Sequence, residues 1–223
     1  SEAAARKVSR HYYSQKDYAT AVSYYEKLEL LATTPSTIFI SRFGIMRSAY
    51  FIEDYLKSKE YAALVLESPA LDNTQEAEAN YALGISAYRL NIYADAISPL
   101  RWLVGNTTTF MGSEAKYTLA HIDYIQEDLE GAGKEIKELL KMKPSYDYWI
   151  AKSLILKSRI FVKEADYVQA EQNLKSVKEH YPIQDDGVVE EANALWQEIL
   201  LLKEAEENKE EENPETKIEI NEE

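Results

Sequence analysis

With 223 residues, 45% of them hydrophobic, and only 7 Gly and 6 Pro, the chain has material for one or two compact domains or one extended array. Its abundance of Ala, Leu, Glu and Lys favours helix over strand. A net charge of −14 argues against a nucleic-acid partner, and the lack of cysteine excludes disulfides, thiolate metal sites and a Cys nucleophile.

The chain opens on SEAAARKVSRHYY, already helical in pattern and without the layout of a signal peptide, so it reads as a segment of something longer. No apolar run reaches the roughly 18 residues that a membrane-spanning helix needs. From here the chain divides into units, expected over 2–34, 35–71, 72–110, 111–144 and 145–182. Each reads as two helices. The first helix carries a small residue (Ser9, Gly84, Ala120, Ser158; the second unit departs with Met46) and, four positions on, an aromatic or Val (Tyr13, Tyr50, Tyr88, Tyr124, Val162). Short turns follow: SQKD, FIED, RLNI, IQED and KEAD. The second helix then opens on Tyr18, Tyr55, Tyr93, Leu129 or Tyr167, with a small residue three places later. Those small residues are Ala21, Ser58, Ala96, Ala132 and Ala170, spaced 37, 38, 36 and 38 apart. Such self-similarity is the signature of a repeat architecture.

Small residues at these places let two antiparallel helices cross closely. Gly84 costs roughly 1 kcal/mol against Ala in a helix, and close approach is the reason to keep it. Pro99, inside the second helix of the third unit, removes a hydrogen bond to Asp95 and is expected to bend that helix. A cap helix is expected at 187–204, its apolar stripe formed by Val188, Ala192, Leu195, Trp196 and Ile199. The tail from 205 to 223 is acidic; from Lys203 onward there are ten Glu and three Lys, which predicts disorder.

In the third unit Leu83, Gly84, Ala87, Tyr88, Tyr93, Ala96, Ile97 and Leu100 form a pattern that resembles the tetratricopeptide repeat, with Pro144 and Pro182 in the closing position of units four and five. The resemblance covers about residues 2–182. It implies an all-α, right-handed solenoid of about five helix pairs plus a cap, whose first helices line a concave groove. The segments ESPALDNTQEAE, VGNTTTFMGSEA and EHYPIQDDGVVEE are similar to the C-terminal array of large envelope repeat proteins of Gram-negative bacteria, which implies a place in the periplasm or at the outer-membrane periphery.

On that frame the groove is expected to hold Arg10, Tyr13, Phe43, Arg47, Tyr50, Tyr81, Tyr88, Tyr117, His121, Tyr124 and Arg159, with Arg6, Ile85, Ile155 and Val162 at the matching positions. This is an aromatic ladder with scattered positive charge, suited to an extended or helical peptide of some acidic character. The same tyrosines also suit packing between neighbouring helices. The Lys/Asn clamp that some members of the family use for C-terminal carboxylates has no counterpart here.

No phosphate loop, nucleophile elbow or paired metal-ligand spacing is present, so neither cofactor nor metal is expected. His11, His121 and His180 fall on separate units, and the QDDG segment at 184–187 reads as a turn before a helix. The reading is a non-enzymatic protein-interaction module with a protein or peptide partner. Its alternative is a structural spacer without a groove ligand. Because no polar cap precedes Ala3, the N-terminal end face is read either as the place of preceding repeats or as a candidate for self-association.

Overall fold

The structure, a computed structural model, describes residues 1–69 and 71–212. They form eleven α-helices: α1 (Glu2–Ser14), α2 (Tyr18–Leu31), α3 (Pro35–Phe51), α4 (Tyr55–Leu66), α5 (Asn73–Arg89), α6 (Tyr93–Asn106), α7 (Phe110–Ile125), α8 (Leu129–Leu139), α9 (Asp147–Lys163), α10 (Tyr167–His180) and α11 (Val188–Glu212). No strand occurs among the described residues. The all-α expectation holds, and a helix stands at each expected helix position.

The turns explain the regular spacing. In each, the third residue is left-handed: Lys16, Glu53, Asn91, Glu127 and Ala165 all have φ between 56° and 63°. In four of the five an aspartate follows, and its carboxylate accepts a backbone N–H of the next helix. Asp17 takes Thr20 N, Asp54 takes Lys57 N, Asp128 takes Gly131 N and Asp166 takes Gln169 N. Within each unit, a left-handed residue closing one helix and a side-chain cap opening the next reverse the chain within four residues. Ile92 replaces the aspartate before α6 and supplies no side-chain cap.

The crossing residues are buried as the spacing requires. Ala21, Ser58, Ala96, Ala132 and Ala170 have no exposed surface. A Cβ on Gly84 would stand 2.9 Å from the Leu100 side chain, so glycine there answers to close approach. Met46 occupies the corresponding place on α3, and the fold accommodates it differently. Ser58 Oγ donates to the Met46 carbonyl at 3.2 Å, and Gly44, two residues earlier, lies under the ring of Tyr25. Pro99 is buried inside α6, which continues to Asn106.

Packing divides the chain into two compact units, Ser1–Gln126 and Glu127–Glu223, with the boundary inside the fourth expected repeat. In the first, each helix from α1 to α7 packs on the next, and α1, α3, α5 and α7 also touch in succession. Its core holds Leu28, Ile45, Leu100, Leu103, Leu119 and Ile122, all nearly or fully buried. Each such side chain contributes about 1.5–3 kcal/mol through burial. In the second unit α8 packs on α9, α9 on α10, and α11 on both α9 and α10. Val188, Ala192, Leu195 and Ile199 face that core, as the stripe predicts. The expected end of the cap at 204 is corrected: α11 runs to Glu212. The remainder of the acidic tail, 213–223, lies outside the described residues.

Candidate functional site

The first helices of Ser1–Gln126 carry the aromatic residues singled out by the repeat register, and side-chain contacts join them. Tyr50 donates its hydroxyl to Tyr81 at 3.3 Å, and Tyr81 donates to Glu114 Oε2 at 2.7 Å. One hydrogen-bonded chain thus links α3, α5 and α7. Alongside it the Tyr50 and Tyr81 rings lie 5.6 Å apart, and Phe110 stands edge-on to Tyr81 at 6.1 Å. Further along α5 and α7, the Tyr88 hydroxyl bonds His121 Nδ1 at 2.8 Å, and His121 stacks between Tyr117 and Tyr124.

At the other side Arg47 organises α1, α3 and α5. Its guanidinium lies 5.0 Å above the Tyr13 ring and 5.5 Å from that of Phe43, and its Nε is 3.1 Å from Glu78. Arg10 is exposed and borders the same hollow as Tyr13, Phe43 and Arg47. The rings are therefore half-buried: one side packs between successive helices and the other faces open space. Two pockets of about 280 Å³ result. One is walled by Met46, Tyr50, Phe51, Tyr81, Phe110 and Met111 with the Arg47–Glu78 pair at its edge. The other lies between α1 and α3. A larger hollow of about 740 Å³ lies between α4 and α6, walled by Leu64, Leu66, Pro99 and the Lys59–Asp95 ion pair. The ring and hydroxyl groups just described lie on the first-helix face instead.

Burial sets the electrostatics. It pushes the Tyr50 phenol up to about 12, and raises those of Tyr81, Tyr88 and Tyr13. Tyr81 is raised further by the neighbouring Glu114 charge. Burial also raises the Glu114 carboxyl above its ordinary value, opposed by the Tyr81 hydrogen bond and the charge of Arg89. The face offers neutral phenols as donors and acceptors beside a balanced Arg–Glu pair.

Not every expected residue joins this site. Ile85 and Ile155 are buried in the cores, and Val162 packs against the core of the second unit. Arg159 belongs to that second unit, where it lies 3.6 Å from Glu191 of α11, which also pairs with Lys152. Positive charge is less prominent than expected, because Glu78 and Glu114 share the first-helix face with Arg47. Neither carboxylate was singled out in the sequence. Yet each lies three residues before a ladder tyrosine, Glu78 before Tyr81 and Glu114 before Tyr117, hence on the same helix face. The QDDG segment is a turn: Asp186 accepts from Val188 N at 3.1 Å at the start of α11. Among the described residues no group of three or more His, Asp or Glu is placed to hold a metal, and no helix is long and apolar enough to cross a membrane.

Helix pairs at this period, with small crossing residues and a continuous first-helix face, can be set against known structures. The chain is similar to the crystal structure of YrrB, described as a TPR protein with an unusual peptide-binding site. The two share 16% identity with a TM-score of 0.62 over 83% of this chain and 88% of that one. The chain has the tetratricopeptide-repeat fold. No family model matches its sequence, and no curated protein does.

Proposed function

We propose that the chain is a non-catalytic protein-interaction module that binds a peptide segment along the first-helix face of Ser1–Gln126. The observation that carries this reading is the pocket walled by Tyr50, Tyr81 and Phe110, open on one side and edged by Arg47 and Glu78. Pockets of this make-up suit a large apolar side chain, with phenolic oxygens and the ion pair left to meet the peptide backbone. Rigid aromatics supply contact area at low entropic cost. Because the Arg–Glu pair balances its own charge, the anchor we assign is apolar, and acidic character in the ligand is secondary. The peptide-binding site ascribed to YrrB supports the reading by analogy of fold. On the similarity of its inter-repeat segments, we assign the module a scaffolding or assembly role at the bacterial envelope.

The test is selection of displayed random peptides on the immobilised chain. Enriched peptides should share a large apolar residue and lose binding to Tyr81→Ala and Arg47→Glu variants that retain the native helical spectrum. Enrichment of nothing, or of peptides indifferent to both substitutions, would favour a structural spacer.

A further inference from the structure

We propose that the hollow between α1 and α3 is a second subsite for the same peptide, and that it takes an aspartate or glutamate side chain. This rests on the peptide-binding reading and adds a second determinant to it.

The two pockets of about 280 Å³ differ in charge. Glu78 stands at the edge of the one that takes the apolar anchor, where it balances Arg47. No Asp or Glu is among the described residues that line the other. Its charged side chains are Arg10 of α1 and Arg47 of α3. Arg47 meets Glu78 through Nε, while its guanidinium lies over the Tyr13 and Phe43 rings that wall this hollow. Two like charges thus border one small space with no carboxylate in its wall. An anion between them relieves their repulsion and gains charge-assisted hydrogen bonds.

The floor adds no negative charge. A Cβ on Gly44 would stand 2.5 Å from the Tyr25 ring, so the absence of a side chain there lets the buried ring lie close under the hollow. Burial raises the Tyr25 phenol, opposed by the hydrogen bond of Ser9 and by the charges of Arg10 and Arg47. The phenol stays protonated at neutral pH and leaves both cations to the ligand.

A side-chain carboxylate fits better than a chain end. Terminal carboxylates are captured by clusters of free backbone N–H groups. Here Arg10, Tyr13, Phe43 and Arg47 lie inside α1 and α3, where those groups are used by the helices, and the N–H of Gln75 is taken by Asp72. The two pockets lie on either side of α3, and packed helices stand about 8–10 Å apart. An extended peptide advances about 3.3 Å per residue, which sets acid and anchor about three residues apart.

The experiment compares random peptides displayed against the full chain and against Arg10→Glu, checked for native helicity. Peptides selected by the unaltered chain should carry Asp or Glu about three positions from the large apolar residue. Those selected by Arg10→Glu should keep the apolar residue and carry Lys or Arg in place of the acid. In a synthetic copy of an enriched peptide, exchange of the acid for its amide should weaken binding about tenfold. Amidation of the peptide's C-terminus should leave binding unchanged. Enriched peptides that share the apolar anchor without an acid, or an acid preference that Arg10→Glu does not move, would overturn this subsite and leave the peptide-binding reading standing. Loss of binding on amidation would give the hollow to a terminal carboxylate and also overturn it. Enrichment of nothing would overturn both.

Discussion

The same register carries different chemistry in the two compact units. On α1, α3, α5 and α7, the positions that face along the first helices hold Tyr13, Phe43, Tyr50, Tyr81, Tyr88, Tyr117 and Tyr124, tied together by ring contacts and phenolic hydrogen bonds. On α9 they hold Ile155 and Val162, with Arg159 and Lys152 engaged by Glu191 of the cap helix. The crossing residues do not change between the units: Ala96 and Ala170 are equally buried. Small residues at the crossing are what the fold demands. The tyrosines are not demanded by it, since the second unit builds the same helix pair without them. Thirteen of the 17 tyrosines lie in Ser1–Gln126, which is why the candidate site is placed there.

The largest effects should fall on what the units share. Leu100 and Leu174 are both fully buried in the second helix of a pair. Either one changed to Ala should cost about 2–5 kcal/mol. If packing is a sum of neighbour contacts, Leu174→Ala should raise amide hydrogen exchange in α9, α10 and α11 and leave α2 to α5 unchanged. Equal loss of protection throughout would show that the two units unfold as one. Ala96→Leu should overfill the α5–α6 crossing, where Gly84 already touches Leu100, and cost roughly 1–3 kcal/mol by denaturant titration. A neutral result would mean that the crossing has slack, against its complete burial.

A pH dependence should separate the units next. The raised carboxyl of Glu114 has an ordinary value of 4.5 when the chain unfolds. Between that value and its higher folded one, the native state holds a proton that the unfolded state has released. Stability from this group is therefore greatest at low pH and falls as pH rises through the folded value. Glu114→Gln should flatten that part of the stability profile. Tyr81→Phe removes the hydrogen bond that favours the charged carboxylate, so the Glu114 titration, followed by carboxyl-carbon NMR, should move further up. A downward shift would show that solvent reaches the carboxylate once the hydroxyl is gone.

How much of this was legible in the sequence follows from range. The helix pairs, the crossing residues and the stripe of the cap depend on spacing along one or two helices, and spacing is visible. The site depends on which half of each tyrosine is covered by the next pair. That is set by contacts between residues more than thirty positions apart, such as Tyr81 with Glu114. Glu78 and Glu114 carry no mark of their own in the sequence, because a carboxylate on a helix face is also what a solvated face holds. Ile85 and Ile155 looked like groove positions because the register gives an angle on a helix, not the depth at which a neighbour closes over it. The extension of α11 to Glu212 was hidden by composition, since Glu-rich sequence is compatible with both a solvated helix and disorder.

The smallest expected effect uses another feature common to both units. Glu53 and Ala165 occupy equivalent left-handed positions, with φ of 61° and 56°, in the turns of the second and fifth pairs. A side chain there costs about 1–2 kcal/mol relative to the right-handed form, and glycine recovers part of this while losing roughly 0.5–1 kcal/mol to its greater freedom in the unfolded chain. Glu53→Gly and Ala165→Gly should each stabilise by less than about 1 kcal/mol, seen as a small rise in thermal midpoint. Asn91→Gly should gain least, because asparagine already tolerates this conformation. Equal gains at Glu53 and Ala165 would show that the turns are interchangeable between units, so that only the residues on the helix faces distinguish them. A gain at one alone would mean that the turn itself carries a contact of its own, the ion pair of Lys163 with Glu127 beside Ala165 being the nearest in the second unit.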